Sequence, residues 1–497
     1  MMRAPWVRGL LALAALRLVF AAFVPVTPEE AYHWNFGRHL DWSYYDHPGM
    51  IAWSIRLGCA IFGDTGLGIR FVPVLFATGT AALLARLARR LYGEPAAGWA
   101  VLLISINPIA FLAGGSGFPD SPLLFFWALA MSSVVEALET GRPRGWIAAG
   151  AALGFMGLSK YTGVFLGVAV LCHLVTSARD RRWLRTPWPY VASILALVVL
   201  WPVFHWNAGH DWASVKFQAK GRFGEIHQMG VIGVLKGMGM FLGEQAFGMI
   251  PFTVPLAVVA ISRAWRSKQP AERFLFFCFV PMVAFFFAVS SFRFVHLMWP
   301  MPAFLSLTVL MAGEAAKAQG RVATFYARKR AWLGGITAVA YVLGAVHLAF
   351  FLPLFSPVQG MYGWDKVAAK ARELREGMPE RTFYLGLGRK YTCPSQLAFR
   401  IPAPFEVHGK NLVGEMGSQY DYWADLAKLA GRDAVVVLEE GDRSKGSIEQ
   451  IRSVFASFEP AGDLLMVVGR HPLLEVKPLR FRFFRARGFK PLPPEKK

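Results

Sequence analysis

Charge is scarce in this chain, and negative charge scarcer still. Asp, Glu, Lys and Arg make up 17% of the 497 residues, against about a quarter in an average soluble domain. The 32 acidic residues are outnumbered by 53 basic ones, for a formal net charge of +21. Cysteine is almost missing: Cys59, Cys172, Cys278 and Cys393 stand far apart, with no CxxC pair. That spacing excludes a disulfide framework and offers no zinc or redox motif. Three of these cysteines lie in or beside apolar segments and read as packing residues. No solenoid-type repeat is visible. What fills the chain is apolar: 55% of the residues are hydrophobic, and the mean hydropathy is +0.39.

The apolar residues come in long runs, most of roughly 18–25 residues, enough to cross about 30 Å of hydrocarbon. Candidate spans are 8–26, 69–91, 96–115, 120–138, 145–159, 161–177, 189–207, 235–262, 272–290, 297–314 and 331–354. The expected class is a polytopic α-helical membrane protein with about eleven transmembrane helices. The spans at 145–159 and 161–177 are short and meet at Lys160. The first run has the basic head and apolar core of a signal peptide, but the many spans after it favour a first membrane helix. Residues 51–63 are apolar but too short to span, and read as a helix lying at the interface within a long first loop, 27–68.

The basic excess then has a plain explanation. Arg89-Arg90, Arg142 with Arg144, the ARDRRWLR run at 178–185, Arg263 through Arg273, and Lys317 through Arg330 fall on alternate loops. By the positive-inside rule those loops and the N-terminus are cytoplasmic. Nucleic-acid binding is excluded as the reason for the charge; an anionic substrate or anionic lipid stays open as a partner. The outer loops are 27–68, 116–119, the turn at 160, 208–234, 291–296 and everything beyond 355. Residues 1–355 form the expected membrane module, and 356–497 a small extracytoplasmic α/β domain. There RTFYLGLG, DAVVVLEE and DLLMVVGR read as strands, GWDKVAAKARELREG and QYDYWADLAKLAG as helices, and the last twenty residues as a strand with a loose end.

This topology gathers ionisable residues on one face. Glu29, Glu30, Asp46, His47 and Arg70 fall there, with Asp120 in GGSGFPDSPLL, Lys160 in GLSKYTG, Arg222 in FQAKGR, and Arg293 with His296 in SSFRFVHLMWP. Ionisable groups at span ends are costly unless they pair or line a cavity, and so point to a site. Carboxylates mixed with cations at the outer leaflet suit a lipid-linked anionic substrate. Each residue also has a structural reading. Pro28-Glu29-Glu30 is a good helix start, because carboxylates complement the helix dipole. Asp120 fits an N-cap, and Lys160 a snorkelling cation. His47 fits an interfacial hydrogen-bonding residue, Arg70 a partner for a loop carboxylate, and Arg222 and Arg293 plain surface. His33, His39 and His47 match no compact metal-ligand motif, so no metal or other cofactor is assigned, although a divalent ion is not excluded. Trp34, Trp42, Tyr44 and Tyr45 fit either a cover over a sugar or an interfacial aromatic belt.

PEEAYHW, YYDHPG, GIRFVPVLF, GGSGFPDSPLLFFW and LSKYTG, in this order, resemble the bacterial branch of the GT-C glycosyltransferases. That branch holds the protein O-mannosyltransferases and the aminoarabinose transferase of lipid A (the ArnT-like enzymes). The resemblance is strong over about residues 20–225; FRFVHLMWPMPAF, SQLAFR and SQYDYW extend it to a bacterial subgroup. It implies a GT-C fold and transfer of a sugar, usually with inversion, from a polyprenyl-phosphate donor on the outer side of the cytoplasmic membrane. The family's first-loop acidic pair corresponds to Glu29 and Glu30, its second-loop acid to Asp120, its basic residue before the first-loop proline to His47, and its outer-face lysine to Lys160. Two departures stand out: Glu29 replaces an Asp, and His47 replaces the Lys of the lipid A enzymes, which ties a phosphate contact to protonation.

The residues suit that chemistry. Transfer needs a general base at the acceptor hydroxyl: Glu29 first, Asp120 second. The departing phosphate needs preorganised cations: Lys160, then His47, then Arg222 or Arg293. Glu30 is expected to pair with Arg70 and fix the loop, with Asp46 and Tyr45 in support. The expected acceptor is a cell-envelope glycolipid or glycan such as lipid A. The rivals are protein O-glycosylation and, in another class, a lipid-glycan flippase or transporter; the lack of repeats and the one-sided charge weigh against the last.

Overall fold

Proline decides where several of the apolar helices begin and break. In the computed structural model, which describes residues 4–221, 230–248, 251–350, 360–441, 444–466 and 478–492, the first helices are α1 (Pro5–Phe23), α2 (Pro28–Arg38), α3 (Met50–Phe62), α4 (Gly66–Tyr92), α5 (Glu94–Ile106), α6 (Pro108–Gly115), α7 (Asp120–Thr140), α8 (Arg144–Ser159) and α9 (Val164–Thr176). They are followed by α10 (Trp188–Val199), α11 (Trp201–Gly209), α12 (Ala213–Lys216), α13 (Val231–Gly248), α14 (Val254–Arg266), α15 (Pro270–Val289), α16 (Met301–Lys317) and α17 (Arg321–Phe350). Every expected span is helical over most of its described residues, but three are broken; residues 249–250 and 351–354, which fall in two of the expected spans, lie outside the described residues. Residues 96–115, expected as one span, turn by 80° between α5 and α6. Pro108 has no N–H to donate and pushes the residue before it out of the helical region. Asn107 accordingly adopts φ −77°, ψ 107°, and its Oδ1 accepts from Ile109 N and Ala110 N at 3.0 and 2.9 Å, capping α6. The expected span 189–207 bends by 46° before Pro202. The expected span 235–262 is two helices, α13 and α14, with Pro251 and Pro255 between and at their junction.

By length and composition α1, α4, α7 and α15 each suffice to cross a membrane, and the two bent pairs bring the number to six among the described residues. The other expected spans are mostly shorter helices, such as α8 with 16 residues and α14 with 13. α3 confirms a short apolar helix in the first loop. It buries Ile51, Ile55 and Cys59 along one stripe and exposes Leu57 and Ile61 on the other.

Contacts divide the chain into two units. The first comprises Met1–Ala22, Asp41–Ile61 and Leu67–Val342; the second comprises Phe23–Leu40, Phe62–Gly66 and Leu343–Lys497. In the first, α16 is buried on all sides from Met301 to Ala315, the signature of a central helix. Lipid offers no hydrophobic drive between helices, so close backbone approach matters. Gly150 and Gly154 lie one turn apart on α8, where a Cβ would stand 2.5 Å from Ala192 O and from Val199 Cβ of α10. This fixes α8, whose C-terminal end presents Lys160.

The second unit carries a five-stranded sheet in the order β2-β1-β3-β5-β4, with β1 Phe383–Leu387, β2 Val407–His408, β3 Ala434–Glu439, β4 Phe455–Met466 and β5 Leu479–Phe489. β1 pairs parallel with β2 and β3; β5 pairs antiparallel with β3 and β4. Side chains alternate across a strand. Phe383, Leu385, Val436 and Leu438 pack on one face, and Tyr384, Val435 and Val437 on the other with Trp364 and Leu397. Both faces are covered, which is why β1 and β3 read as unbroken apolar runs. The expected helix at 363–377 is α18 (Trp364–Arg375). Thr392–Arg400 forms α19, which the pattern did not suggest. QYDYWADLAKLAG, expected as one helix, is two short ones, α20 (Tyr420–Trp423) and α21 (Leu426–Leu429). Asp425 separates them by capping the second, its side chain accepting from Lys428 N. α22 (Ser444–Ser453) packs against β4. Of the strand expected at 463–470, residues 467–470 lie outside the described residues.

An ion cluster on this unit gives a pH prediction. His408 Nε2 lies 3.2 Å from Glu406 Oε2, and Arg432 Nη1 donates to Oε1 at 3.1 Å. The His408 imidazole, then the Arg432 guanidinium, outweigh partial burial and hold the Glu406 carboxyl down at about 2, below its ordinary 4.5. A depressed carboxylate stabilises the fold above its unfolded pKa and loses that contribution as pH falls toward the folded one. The wild-type melting temperature is therefore expected to fall between pH 4.5 and about 2 more steeply than that of Glu406→Gln; parallel acid limbs in the two thermal melting series would contradict this.

Candidate active site

Within the second unit, α2 carries Glu29 and Glu30. Thr27 caps this helix: its Oγ1 accepts from Glu30 N at 3.1 Å, and Glu30 Oε2 accepts from Thr27 N at 3.0 Å. This reciprocal capping box satisfies two backbone donors, and Pro28 at the first turn suits the helix start. Glu30 is fully buried in this role, while the half-buried Glu29 stands outside the box. Thr27→Ala is expected to cost about 1 kcal/mol, read as a lowered thermal midpoint of the full chain; an unchanged midpoint would show that the cap contributes nothing.

α2 is held by the two tail segments singled out in the sequence, SQLAFR and SQYDYW. Gln396 Nε2 donates to Val26 O at 3.0 Å, and Asn35 Nδ2 to Tyr420 Oη at 3.1 Å. Gln419 N donates to Tyr32 Oη at 3.0 Å. The Tyr32 ring stacks on Tyr391 with centroids 3.8 Å apart, and Trp34 meets Phe399 edge-on. Trp34 Nε1 also donates to Asp64 Oδ1 at 2.8 Å. Trp34 is therefore a packed anchor rather than an interfacial belt residue. His33 is buried, and His39 stacks on Trp423; burial, then Arg38 and His408, push His39 below the ordinary histidine range.

Within the first unit, Asp120 and Lys160 form a buried ion pair. Lys160 Nζ donates to both carboxylate oxygens, at 2.8 and 2.9 Å, and the residues are 7% and 4% exposed for Lys160 and Asp120. Asp120 opens α7, where the helix dipole favours a carboxylate; Pro119, not Asp120, occupies the cap position. Ser121 Oγ donates to Pro73 O at 3.1 Å and ties this end of α7 to α4. Arg70, on α4, is buried and donates to Ala21 O at 3.3 Å, one of the orphan carbonyls at the end of α1.

The 41–48 segment folds as a tight hairpin, with a bridge between Ser43 and Pro48 and Tyr44 N donating to His47 O at 3.1 Å. Asp41, which the sequence reading passed over, is its hub. Trp206 Nε1 donates to Asp41 Oδ2 at 2.9 Å, Trp53 Nε1 to Asp41 O at 3.0 Å, and Asp41 N to Tyr44 Oη at 3.0 Å. Gln218 Nε2 donates to Asp46 O at 2.9 Å, and Tyr45 packs on Phe217. Next to Lys160, Tyr161 Oη and Ser214 Oγ share a hydrogen bond of 2.6 Å. The 206–218 segment thus links the first-loop hairpin to the Lys160 turn. Asp211 and Trp212 sit there with φ of 50° and 57°, a region that strains residues with side chains. Asn207 pins the turn: its carbonyl accepts from Trp212 N at 2.8 Å and its Oδ1 from Val215 N at 3.3 Å.

Arg293 lines a cleft of about 210 Å³ with Lys236, Glu244, Met240, Phe241 and Phe294. Its Nη1 is buried with no hydrogen-bond partner among the described residues. Lys236 had drawn no notice in the sequence. His296 is exposed beside Phe294 and Trp299. Arg222 lies outside the described residues. Among the described residues no group of three or more His, Cys, Asp or Glu converges to hold a metal.

The apolar helices, several of them broken, and the small C-terminal mixed sheet make a fold of the GT-C type, similar to that of ArnT. The structure aligns with that of ArnT from Cupriavidus metallidurans in the apo state over 98% of both chains, with TM-score 0.64 at 16% identity. With the same protein bound to undecaprenyl phosphate the TM-score is 0.63, over 97% of this chain and 98% of that one, again at 16% identity. Residues 46–206 match the family model of the dolichyl-phosphate-mannose-protein mannosyltransferases. Asp46, His47, Arg70, Asp120 and Lys160 fall inside that segment; Glu29, Glu30, Arg222 and Arg293 fall outside it. The lipid A galacturonosyltransferase RgtD of Rhizobium johnstonii is 25% identical over 57% of this chain and 59% of the relative. The undecaprenyl phosphate-alpha-4-amino-4-deoxy-L-arabinose arabinosyl transferase of Pseudomonas aeruginosa is 28% identical over 65% and 59%. The chain thus spans 59% of the length of these curated relatives. The likeness to the ArnT-like glycosyltransferases, first read from the ordered motifs, recurs in both sequence and fold.

Proposed function

We propose that this protein is an integral-membrane glycosyltransferase that moves a sugar from a polyprenyl-phosphate donor to a cell-envelope glycolipid or glycan, on the outer side of the cytoplasmic membrane. The observation that carries the reading is the buried Asp120–Lys160 pair, at the mouth of α7 and inside the matched segment. A buried charge pair is rarely retained for stability alone, since apolar residues of similar volume often serve as well.

In the proposed reaction Glu29 takes the proton of the acceptor hydroxyl, with Asp120 as the second candidate. The hydroxyl oxygen attacks the anomeric carbon, the bond from that carbon to the phosphate oxygen breaks, and polyprenyl phosphate leaves. One displacement inverts the centre. Charge develops on the departing phosphate, where cations help most; Lys160, His47, Arg293 and Arg222 are assigned there. Arg293 gains support from its cleft, which sets two cations, Arg293 and Lys236, and one carboxylate, Glu244, beside apolar walls that suit an isoprenoid chain. Asp46, Tyr45, Arg70 and Glu30 are assigned to holding the loop.

The name of the Rhizobium johnstonii relative favours a lipid A acceptor, whereas the family model's description favours a protein. Purified protein in liposomes, given radiolabelled polyprenyl-phosphate sugars and an envelope extract containing lipid and protein, separates the two. Label is expected in the glycolipid fraction. Label in protein would select the second acceptor, and donor crossing the bilayer with no transfer would establish a flippase instead.

A further inference from the structure

A second cleft lies at the opposite end of α7 from Asp120. It is an open groove of about 550 Å³ between α4 and α7, lined by Leu83, Leu87 and the exposed Arg86, Arg89 and Arg90 on one side and Leu129, Ser132, Ser133 and Glu136 on the other. Glu136 is sixteen residues along α7 from Asp120, or about 24 Å at the helical rise, so this cleft is separate from the candidate active site.

Its charges are unevenly matched. Arg90 pairs with Glu139 at 2.6 Å, Arg144 with Glu136 at 2.5 Å, and Arg89 stands 3.8 Å from Glu94. Arg86 makes no hydrogen bond or ion pair among the described residues. Ser132 Oγ is buried without a hydrogen-bond partner among them. The cleft therefore offers an unneutralised guanidinium and an idle hydroxyl above leucine walls, where the basic end of α4 meets the end of α7 that carries Glu136 and Glu139; both helices are long and apolar enough to cross a membrane. Guanidinium matches phosphate oxygens in a planar fork. Basic pockets between membrane helices at the cytoplasmic side suit anionic headgroups. A soluble anion would gain nothing from Leu83, Leu87 and Leu129.

We infer that this cleft binds the phosphate of an anionic phospholipid headgroup, with Arg86 as its main contact, Ser132 as a hydrogen-bond donor and the leucines against the upper acyl chains. The site is independent of the sugar-transfer reading, because its test involves no transfer. Detergent-purified full-length protein, stripped of lipid, is titrated with dioleoyl phosphatidylglycerol or dioleoyl phosphatidylcholine, and adducts are counted by native mass spectrometry. Phosphatidylglycerol is expected to be retained about fivefold better, the effect of roughly one surface charge. Arg86→Gln is expected to remove that preference and Ser132→Ala to weaken it, both with an unchanged thermal midpoint. Equal retention of the two lipids, or a preference that survives Arg86→Gln, overturns the inference. Displacement of phosphatidylglycerol by millimolar inorganic phosphate also overturns it, in favour of a soluble anion.

Discussion

Lys160→Ala is expected to abolish sugar transfer and to lower the stability of the membrane unit at the same time. The two effects have different origins. Lys160 and Asp120 are both buried, and the ammonium binds both carboxylate oxygens. Removing one member leaves an uncompensated buried charge, at a cost of about 3–5 kcal/mol. Removing a cation that stabilises developing charge typically lowers turnover by roughly 10²–10³. The double substitution Asp120→Leu with Lys160→Met separates them. It removes both charges together, so the thermal midpoint is expected to return near the wild-type value while transfer stays lost. Recovery of transfer along with stability would make the pair a structural device and remove Lys160 from the chemistry.

The second large effect is expected at Glu29. Glu29→Gln keeps the size and shape of the side chain and removes its basicity, so transfer is expected to fall by roughly 10²–10⁴, the usual contribution of a positioned general base. Stability is expected to change less than in Glu30→Gln, because the capping box of α2 uses Thr27 and Glu30. Glu30→Gln should show the converse: a lower thermal midpoint, with transfer reduced only as far as the helix start loosens. Glu29→Asp, which restores the residue usual in the family, is expected to keep substantial transfer. Equal losses in Glu29→Gln and Glu30→Gln, each with unfolding, would assign both carboxylates to the fold.

The sequence disclosed what is local and concealed what is distant. Apolar runs and basic loops marked the helices, and YYDHPG, FPDSP and LSKY marked the segments that build the hairpin, the start of α7 and the Lys160 turn. The break at Asn107-Pro108 was written in the chain too, yet the uninterrupted hydrophobicity of 96–115 outweighed one proline; only the cap made by Asn107 shows the turn to be a fixed feature. Asp41 escaped notice because its value lies in its partners, Trp53 and Trp206, 12 and 165 residues away. SQLAFR and SQYDYW were visible as motifs without a purpose. Their purpose is to hold α2, through Val26 and Asn35, 370 and 385 residues earlier in the chain. No local pattern encodes that contact. It gives the C-terminal unit a definite task, since the same helix carries Glu29. The single helix expected at 419–431 failed for a local reason: Asp425 is a better cap than a helix-interior residue.

The most direct test of the central claim counts two products at once. Purified protein in liposomes receives a doubly labelled polyprenyl-phosphate sugar and acceptor lipid, and both glycosylated acceptor and free polyprenyl phosphate are measured. One polyprenyl phosphate is expected for each sugar transferred by the wild type, and neither product from Glu29→Gln although the donor still binds. Intact donor appearing on the far side of the bilayer, or wild-type transfer by Glu29→Gln, would contradict it.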